Sequence, residues 1–205
     1  AGRAYEQVRN SIGNTGLNVK IGASHGGISV GEDGASHQCL EDFALMRSIP
    51  GMVVMSPADA VEAKAMVRAA YERQGPVYMR FGRSPVPVFH DEETFRFEIG
   101  KGEVMREGTD IAIIANGLLV AEAVEAGELL AAQGIHARII NMATVKPLDE
   151  ALVRKAAEEC GRILTCEEHS VIGGLGDAVC SFLSEPRPTP VKRIGTPDVF
   201  GHSGP

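Results

Sequence analysis

The sequence predicts an α/β protein made of two three-layer α/β/α domains, each with a mainly parallel sheet. Two observations predict this class: short apolar segments alternate with amphipathic ones, and a proline-rich stretch separates two such sets. The chain has 205 residues, of which 44% are hydrophobic and 23% charged, ordinary values for a globular protein. That length suits one large domain or two small ones. We expect one domain over residues 1–83, a linker over 84–97 and a second domain over 98–205.

The elements of the first domain follow from apolar periodicity, with glycine and proline marking the ends. In chain order we predict helix 3–11, strand 17–24, helix 39–48, strand 52–56, helix 56–73 and strand 77–81. The first helix begins without a capping residue. We therefore expect the domain to lack its beginning.

The second domain repeats the same alternation. In chain order we predict an extended segment 97–107, strand 110–117, helix 118–134, strand 135–143, helix 148–161, strand 162–168, helix 173–185 and strand 191–195. Ligands of open parallel sheets bind beyond the carboxyl ends of the strands. The loop that follows strand 17–24 is therefore a natural place for a functional site.

Charge and composition exclude several classes of protein. The net charge is −7 and lysine and arginine form no run, which argues against nucleic acid or an anionic membrane as a partner. No apolar run approaches the roughly 18 residues of a membrane span, and the first residues have no signal-peptide core. The cysteines lack the spacing of a zinc site or a disulfide framework, so we expect reduced thiols in a cytoplasmic protein: Cys39, Cys160, Cys166 and Cys180.

The stretch GASHGGISVGEDGASHQCLED, residues 22–42, concentrates polar chemistry in a loop. His25 closely follows a strand, and Asp33 lies between glycines that permit tight turns. His37 is expected at or near the N-terminal end of the next helix, where the helix dipole favours a neutral imidazole. Arg83 follows the last strand of the first domain, and its guanidinium would suit a phosphate.

These residue types leave several functions open. They could bind a polyhydroxylated substrate, hold a phosphate or ligate a metal, or they could form an ordinary polar turn in which Arg80 and Arg83 pair with nearby acids. The metal site is disfavoured because the histidines are far apart in sequence and no third ligand has a fixed spacing. We interpret the neighbouring Glu32, Glu41 and Asp42 as solvated charges or helix N-terminal charges.

A second polar stretch, CEEHSVIGGLGDAV, places Glu167, Glu168 and His169 at the end of a strand, before a glycine-rich turn into a helix. The G-x-G-x-x-G dinucleotide pattern is absent. We interpret this turn as tight strand-to-helix packing. We also expect His202, in the glycine-rich tail, to be exposed.

Several separated motifs resemble the transketolase family. The string GEDGASHQ follows SHGG and precedes LEDFALMRSIP, while GRAYEQVRNSI, SPADAVEA, GPVYMRFGR and EEHSVIGGLGDAV occur around it in family order. The similarity extends over essentially the whole chain and is nearest to the short C-terminal-section subunits of split transketolases. It implies a thiamine-diphosphate pyrimidine domain followed by a transketolase C-terminal domain, in an enzyme that transfers a two-carbon ketol unit between sugar phosphates.

The resemblance also implies roles for the loop. His25 and Arg83 would contact the phosphate end of the acceptor substrate, and Asp33 would bond a sugar hydroxyl near the bond being broken. His37 would lie nearest the reacting carbonyl oxygen, as a hydrogen-bond donor or proton shuttle. The candidate catalytic residues are therefore His25, Asp33 and His37, and Arg83 joins them in substrate binding.

Some parts of the family's site are not found in this sequence. The glutamate and aromatic residues that hold the aminopyrimidine ring of thiamine diphosphate belong upstream of Ala1. The G-D-G…N signature that binds diphosphate through Mg²⁺ belongs to the other section. We therefore expect an N-terminal-section partner subunit, assembly as a homodimer or heterotetramer, and no turnover by this chain alone.

Two alternatives stay open. A deoxyxylulose-phosphate synthase or a 2-oxo acid dehydrogenase β-type subunit shares the domain order, although the string GEDGASHQ favours transketolase over the dehydrogenase. The alternative of another class is a non-catalytic assembly module, whose second domain mediates dimerisation.

Overall fold

The computed structural model describes residues 2–204; Ala1 and Pro205, which open the first predicted domain and close the second, lie outside the described residues. Two mainly parallel sheets with interleaved helices confirm the predicted fold class. The helix predicted over 3–11 is present as a run with three windings: a 3₁₀ turn (Gly2–Ala4), helix α1 (Tyr5–Gln7) and a π-helical segment (Val8–Gly13).

The first sheet takes strands from both predicted domains. Three parallel strands come from the first domain: β1 (Lys20–Ala23), β2 (Val53–Met55) and β3 (Val77–Arg80). A fourth, β7 (Thr144–Lys146), comes from the second domain and pairs antiparallel with β2, which gives the order β1-β3-β2-β7. We did not predict β7, because it follows the strand predicted over 135–143 with no glycine or proline between them.

The second sheet has five strands and belongs wholly to the second domain. Its strands are β4 (Glu103–Arg106), β5 (Ile111–Ala115), β6 (Ala137–Asn141), β8 (Ile163–Ser170) and β9 (Val191–Thr196). Their order is β4-β6-β5-β8-β9, and all neighbours are parallel except the β4–β6 pair at one edge. Strand β8 extends beyond the predicted 162–168, and this extension reaches towards the first domain.

Five further helices connect the strands: α2 (Asp42–Arg47), α3 (Ala60–Glu72), α4 (Leu119–Ala131), α5 (Glu150–Cys160) and α6 (Leu175–Leu183). Helices α2 and α3 begin later than predicted. Asp59 caps α3 by accepting a hydrogen bond from the Glu62 amide at 2.8 Å, and Asp149 caps α5 in the same way. Within residues 2–204, none of the helices combines the length and apolarity needed to cross a bilayer.

The largest hydrophobic cluster joins the two domains. Its largest members include Phe43, Met46, Tyr78, Ile114, Ile140 and Leu175. Burying one such side chain contributes about 1.5–3 kcal/mol. Separating the domains would expose this cluster and break the β2–β7 pairing, so we expect both domains to unfold together.

The segment predicted as a linker is held between the two domains by contacts of a buried histidine. Residues 81–102 contain neither helix nor strand, yet His90 is only 9% exposed. Its Nδ1 lies 3.1 Å from Asp59 Oδ2, and its Nε2 lies 2.8 Å from Glu103 Oε2. These contacts raise the pKa of His90 to about 9, against the opposing effect of burial. The boundaries at 83 and 98 stay predictions.

Candidate active site

The polar loop lies at the carboxyl end of β1, where the sheet topology predicts a site. Backbone hydrogen bonds hold the base of the loop. The Gly27 amide donates to the Cys39 carbonyl at 3.0 Å and so joins the two ends of the loop, and the Gly26 amide donates to the carbonyl of Phe81, which follows β3, at 3.1 Å. Because β1 and β3 are adjacent and parallel, the segment after β3 arrives at the same edge. The loop and Arg83 therefore share one end of the first sheet.

His25 occupies a strained position at the start of the loop. Its φ of 62° makes it the one non-glycine residue with a positive φ in the described chain. Its imidazole is exposed, and Nδ1 lies 3.0 Å from the Ser24 hydroxyl. Positive φ values in non-glycine residues cost free energy and are enriched at functional sites. The backbone thus holds this imidazole outward, in solvent.

Asp33 and His37 are also exposed, on a chain shaped by glycines. Asp33 ends the 3₁₀ turn Gly31–Asp33, and the left-handed Gly31 and Gly34 supply the tight turns that the sequence predicts. His37 Nδ1 lies 3.0 Å from the Ser36 hydroxyl.

The prediction that His37 sits at a helix N-terminus is wrong. Helix α2 begins only at Asp42, and residues 38–41 separate the two. The reason is that Cys39 makes β-bridges with Gly26 and Gly27, which hold this part of the chain out of helical geometry. The helix dipole therefore gives no support to His37.

Arg83 is hydrogen-bonded to the backbone of the loop, while its role in substrate binding stays a prediction. Its Nη1 donates to the Val30 carbonyl at 3.1 Å and lies 3.1 Å from the position that a Cβ on Gly31 would occupy. A cavity of about 250 Å³ opens beside it, lined by Ile28, Ser29, Gly31, Gln38, Arg83, Ser84, His202 and Gly204. His25, Asp33 and His37 do not line this cavity. That the side chains of His25, Asp33, His37 and Arg83 converge on one substrate site stays a prediction.

The C-terminal tail packs on the loop, which the sequence did not indicate. The Gln38 side-chain amide donates to the carbonyls of Ile28 and His202, both at 3.1 Å. Ser203 contacts Gly34, where a side chain would not fit. The His202 side chain is exposed, as predicted.

Beneath the loop lies a buried ion pair that sequence reasoning missed. Arg80 Nε lies 3.0 Å from Asp42 Oδ2, and both side chains are at most 4% exposed. Tyr78 donates its hydroxyl proton to the same carboxylate at 2.8 Å, and burial with this neighbouring charge raises the pKa of Tyr78 far above its ordinary value. Asp42 is the first residue of α2, so the alternative of a helix N-terminal charge holds, whereas the alternative of a solvated charge is wrong. The signal available was an arginine and a tyrosine inside β3, all of whose residues are buried.

The three polar residues of the second stretch lie within β8, not at its end, and all are buried. Glu167 accepts hydrogen bonds from the amides of Leu175 and Gly176 at 2.6 and 2.8 Å, and so caps α6. Glu168 reaches the first domain instead. Its Oε1 accepts from the amides of Ile28 and Ser29 at 3.1 and 2.7 Å.

His169 is the histidine that meets the N-terminus of α2. Its Nε2 accepts a hydrogen bond from the Phe43 amide at 3.1 Å, and its Nδ1 lies 2.7 Å from the Ser170 carbonyl oxygen. An amide only donates and a carbonyl only accepts, so the proton of the neutral ring is on Nδ1. Burial lowers the pKa of His169 to about 4, which keeps it neutral at pH 7.

Comparison with known proteins identifies the family. Residues 1–88 match the family model for the transketolase pyrimidine binding domain, and residues 100–205 match that for the transketolase C-terminal domain. The chain belongs to the transketolase family. This membership confirms the resemblance that the sequence motifs indicate.

Individual relatives are similar along the whole chain. A Methanocaldococcus jannaschii protein, provisionally named a transketolase C-terminal section, is 48% identical over 206 residues, covering 100% of this chain and 64% of that protein. One of the subunits of the apulose-4-phosphate transketolase of Phocaeicola vulgatus is 44% identical, covering 98% and 65%. A solved split-gene transketolase, described as an inactive beta4 tetramer, matches with 51% identity and a TM-score of 0.92, covering 98% and 64%. The chain thus spans slightly less than two thirds of these relatives.

A second group of relatives performs different chemistry. The 1-deoxy-D-xylulose-5-phosphate synthase of Heliobacterium modesticaldum is 43% identical over 204 residues, covering 98% of this chain but 31% of that enzyme. Both groups share the loop-bearing domain and the domain after it. Family membership alone therefore does not choose between ketol transfer and this synthesis.

The described residues do not group the side chains that would hold the metal ion of the family's cofactor. Among residues 2–204, no three or more His, Cys, Asp or Glu side chains are grouped so that they could hold a metal ion. A diphosphate bound through Mg²⁺ therefore does not fit the described residues by themselves. What the loop offers is exposed imidazoles, a carboxylate and a guanidinium, which suit a polar substrate.

Proposed function

We propose that this chain is the C-terminal section of a split transketolase, which transfers a two-carbon ketol unit between sugar phosphates. The observation that carries the proposal is the exposed polar loop, held at the carboxyl end of β1 with Arg83 hydrogen-bonded to it. The similarity to a split-gene transketolase and to an apulose-4-phosphate transketolase supports the substrate class.

Each loop residue has a role in this proposal that follows from the chemistry of its side chain. The exposed Arg83 donates one N–H to the Val30 carbonyl and has further donors for a substrate phosphate, and we propose that His25 contacts the same phosphate. Asp33 accepts a hydrogen bond from a sugar hydroxyl. His37 donates a proton or hydrogen bond to the reacting carbonyl oxygen, which gains negative charge when a nucleophile adds to the carbonyl carbon.

The remaining parts of the site come from outside the described residues. Thiamine diphosphate would supply the nucleophilic carbon of the complete enzyme, and an N-terminal-section subunit would hold its diphosphate and Mg²⁺. We propose a homodimeric or heterotetrameric assembly of the two sections. The relative described as an inactive beta4 tetramer supports the expectation that C-terminal sections alone do not turn over.

Reconstitution with the N-terminal section tests this proposal. The complete enzyme should convert xylulose 5-phosphate with ribose 5-phosphate, and should be slow with pyruvate and glyceraldehyde 3-phosphate. Replacing His37 by alanine should lower kcat about 10²-fold or more while the unfolding midpoint stays unchanged, because this side chain is exposed.

Two results would decide for other functions. Preference for pyruvate would identify a deoxyxylulose-phosphate synthase, the alternative that the Heliobacterium relative supports. Unchanged turnover after His37→Ala would leave only the assembly role. Tight binding of thiamine diphosphate to this chain alone, measured by titration calorimetry, would overturn the half-site proposal.

A further inference from the structure

We propose that Glu168 of the second domain is a positioning residue, which fixes the loop carrying His25, Asp33 and His37. The inference rests on the proposed function of that loop. It gives the second domain a role in the reaction that goes beyond assembly.

The first observation is the anchor itself. Both amides that Glu168 binds, those of Ile28 and Ser29, point to the single atom Oε1, at 3.1 and 2.7 Å. Successive backbone N–H groups aimed at one point form an anion-binding concavity, and here the anion is a side chain of the same protein. Glu168 is 7% exposed, so these bonds are shielded from water and are stronger than surface bonds.

The backbone of the loop is shaped to admit this carboxylate. Gly27 has a φ of 101°, and a Cβ placed on it would lie 2.6 Å from the Glu168 carboxyl carbon. Only glycine meets both conditions, the left-handed backbone and the close approach. The fit between Gly27 and Glu168 therefore sets where the loop begins.

A second contact fixes the other end of the loop to the same residue. Arg80 Nη2 donates to the carbonyl of Cys39 at 2.9 Å and to the carbonyl of Glu168 at 2.7 Å. Its Nε is held in turn by Asp42. The loop is thus tied to Glu168 at both ends. The Glu168 carboxylate binds the start of the loop, and the Glu168 backbone carbonyl is linked through Arg80 to its end.

These ties lie next to the residues that act on the substrate. His25 comes just before the glycines at the first tie, and His37 comes just before Cys39 at the second. Misplacing a catalytic group by about 1 Å can cost about 100-fold in rate. Loss of the Glu168 anchor should therefore affect turnover more than it affects the fold.

Glu167 provides a matched control. It is the neighbouring residue in β8 and is also buried. Its carboxylate accepts hydrogen bonds from two backbone amides, but these belong to α6 and not to the loop. Glu167→Ala should lower the unfolding midpoint without disturbing the loop. Glu168→Ala should disturb the loop, and Glu168→Gln, which keeps an oxygen acceptor, should restore it.

Amide hydrogen exchange on the full-length protein tests the anchor without any need for activity. In Glu168→Ala, exchange at Ile28 and Ser29 should accelerate about 10-fold or more relative to wild type. Glu168→Asp, which keeps the charge but withdraws it by one methylene, should do the same and covers the case in which the alanine variant fails to fold. Glu167→Ala and Glu168→Gln should leave these two amides within about threefold of wild type.

Kinetics of the reconstituted enzyme test the consequence. The Ala and Asp variants at 168 should lose about 10- to 100-fold in kcat/KM, and Glu168→Gln should recover most of it. Unchanged exchange at Ile28 and Ser29 would overturn the inference, and so would accelerated exchange with unchanged kcat/KM. If the wild-type enzyme is inactive on sugar phosphates, the proposed function falls, and the exchange result alone decides whether Glu168 holds the loop.

Discussion

The loop after β1 and the polar layer beneath it use the same residue types in opposite surroundings. In the loop, the imidazoles and carboxylate of His25, His37 and Asp33 are exposed, and only their backbone is constrained. In the buried polar layer, every side chain is at most 7% exposed; its members are Asp42, Tyr78, Arg80, Glu168 and His169. One region leaves its polar groups open to solvent, and the other uses them to hold the protein together.

The difference shows that partners, and not residue type, decide what a histidine can do. His169 has both ring nitrogens engaged by backbone groups, so it is fixed in one tautomer and offers no free site to a substrate. The ring of His37 has one side-chain contact, to the Ser36 hydroxyl, and faces solvent. The exposed histidine is therefore the better candidate for proton transfer.

The two arginines of VYMRFGR give the largest expected contrast. Arg80→Ala leaves Asp42 buried without its cation, which should cost about 3–5 kcal/mol of unfolding free energy. Arg83→Ala removes an exposed side chain with one hydrogen bond and should cost less than about 1 kcal/mol. Denaturant unfolding measures both. Equal losses in the two variants would contradict the division between buried layer and loop.

The glycine at the boundary between the two regions gives the next largest effect. Gly27 and Gly75 share a φ of 101°, but a Cβ on Gly27 would strike Glu168, whereas Gly75 has nothing within 4 Å. Gly75→Ala should cost about 1–2 kcal/mol for the left-handed backbone alone, and Gly27→Ala about 1–3 kcal/mol more for the clash. Unfolding midpoints of the pair compare the two costs. A Gly27 variant no worse than the Gly75 variant would mean that Glu168 moves aside at little cost.

Most of the fold could be predicted because it depends on local patterns. Apolar periodicity and turn residues located the strands and helices from residue 17 to 196, with shifted ends. Strand β7 was missed because no glycine or proline separates it from the strand before it, and because its pairing partner β2 lies far away in sequence. Local signals do not encode such a partner.

The site divides in the same way. The loop could be found because its residues are contiguous and follow a strand. The buried layer could not, since the His169–Phe43 and Glu168–Ile28 hydrogen bonds join residues 126 and 140 apart. Because the sequence does not reveal these distant partners, it does not show that Asp42 belongs to a buried ion pair, or that His169, and not His37, contacts the start of α2.

The buried His169 predicts that the free energy of unfolding decreases at acid pH. The pKa of His169 is about 4 in the folded protein and near 6.5 when unfolded, so the unfolded state binds more protons between these values. Its contribution is fully present above pH 6.5 and is lost as the pH falls towards 4, by up to about 3 kcal/mol. His169→Gln should flatten this slope in unfolding curves measured from pH 4 to 7. Parallel curves for the variant and wild type would show that the ring is not held neutral.

His90, which lies between the domains, predicts a smaller decrease of the free energy of unfolding at alkaline pH. The pKa of His90 is about 9 in the folded protein, above its unfolded value near 6.5. Its ion pairs with Asp59 and Glu103 therefore stabilise fully below pH 6.5, and that stability is lost as the pH rises through 9. Because Glu103 is partly exposed, solvent screening should reduce the effect to about 1–2 kcal/mol.

Unfolding curves from pH 6 to 9.5 measure this loss of stability at alkaline pH. His90→Gln should be less stable than wild type at pH 6 and should approach it by pH 9.5, because the imidazolium is lost from the wild type alone. His136→Gln, which changes an exposed histidine, should follow the wild-type curve throughout. A constant gap between His90→Gln and wild type would mean that packing, and not charge, pins the linker between the two domains.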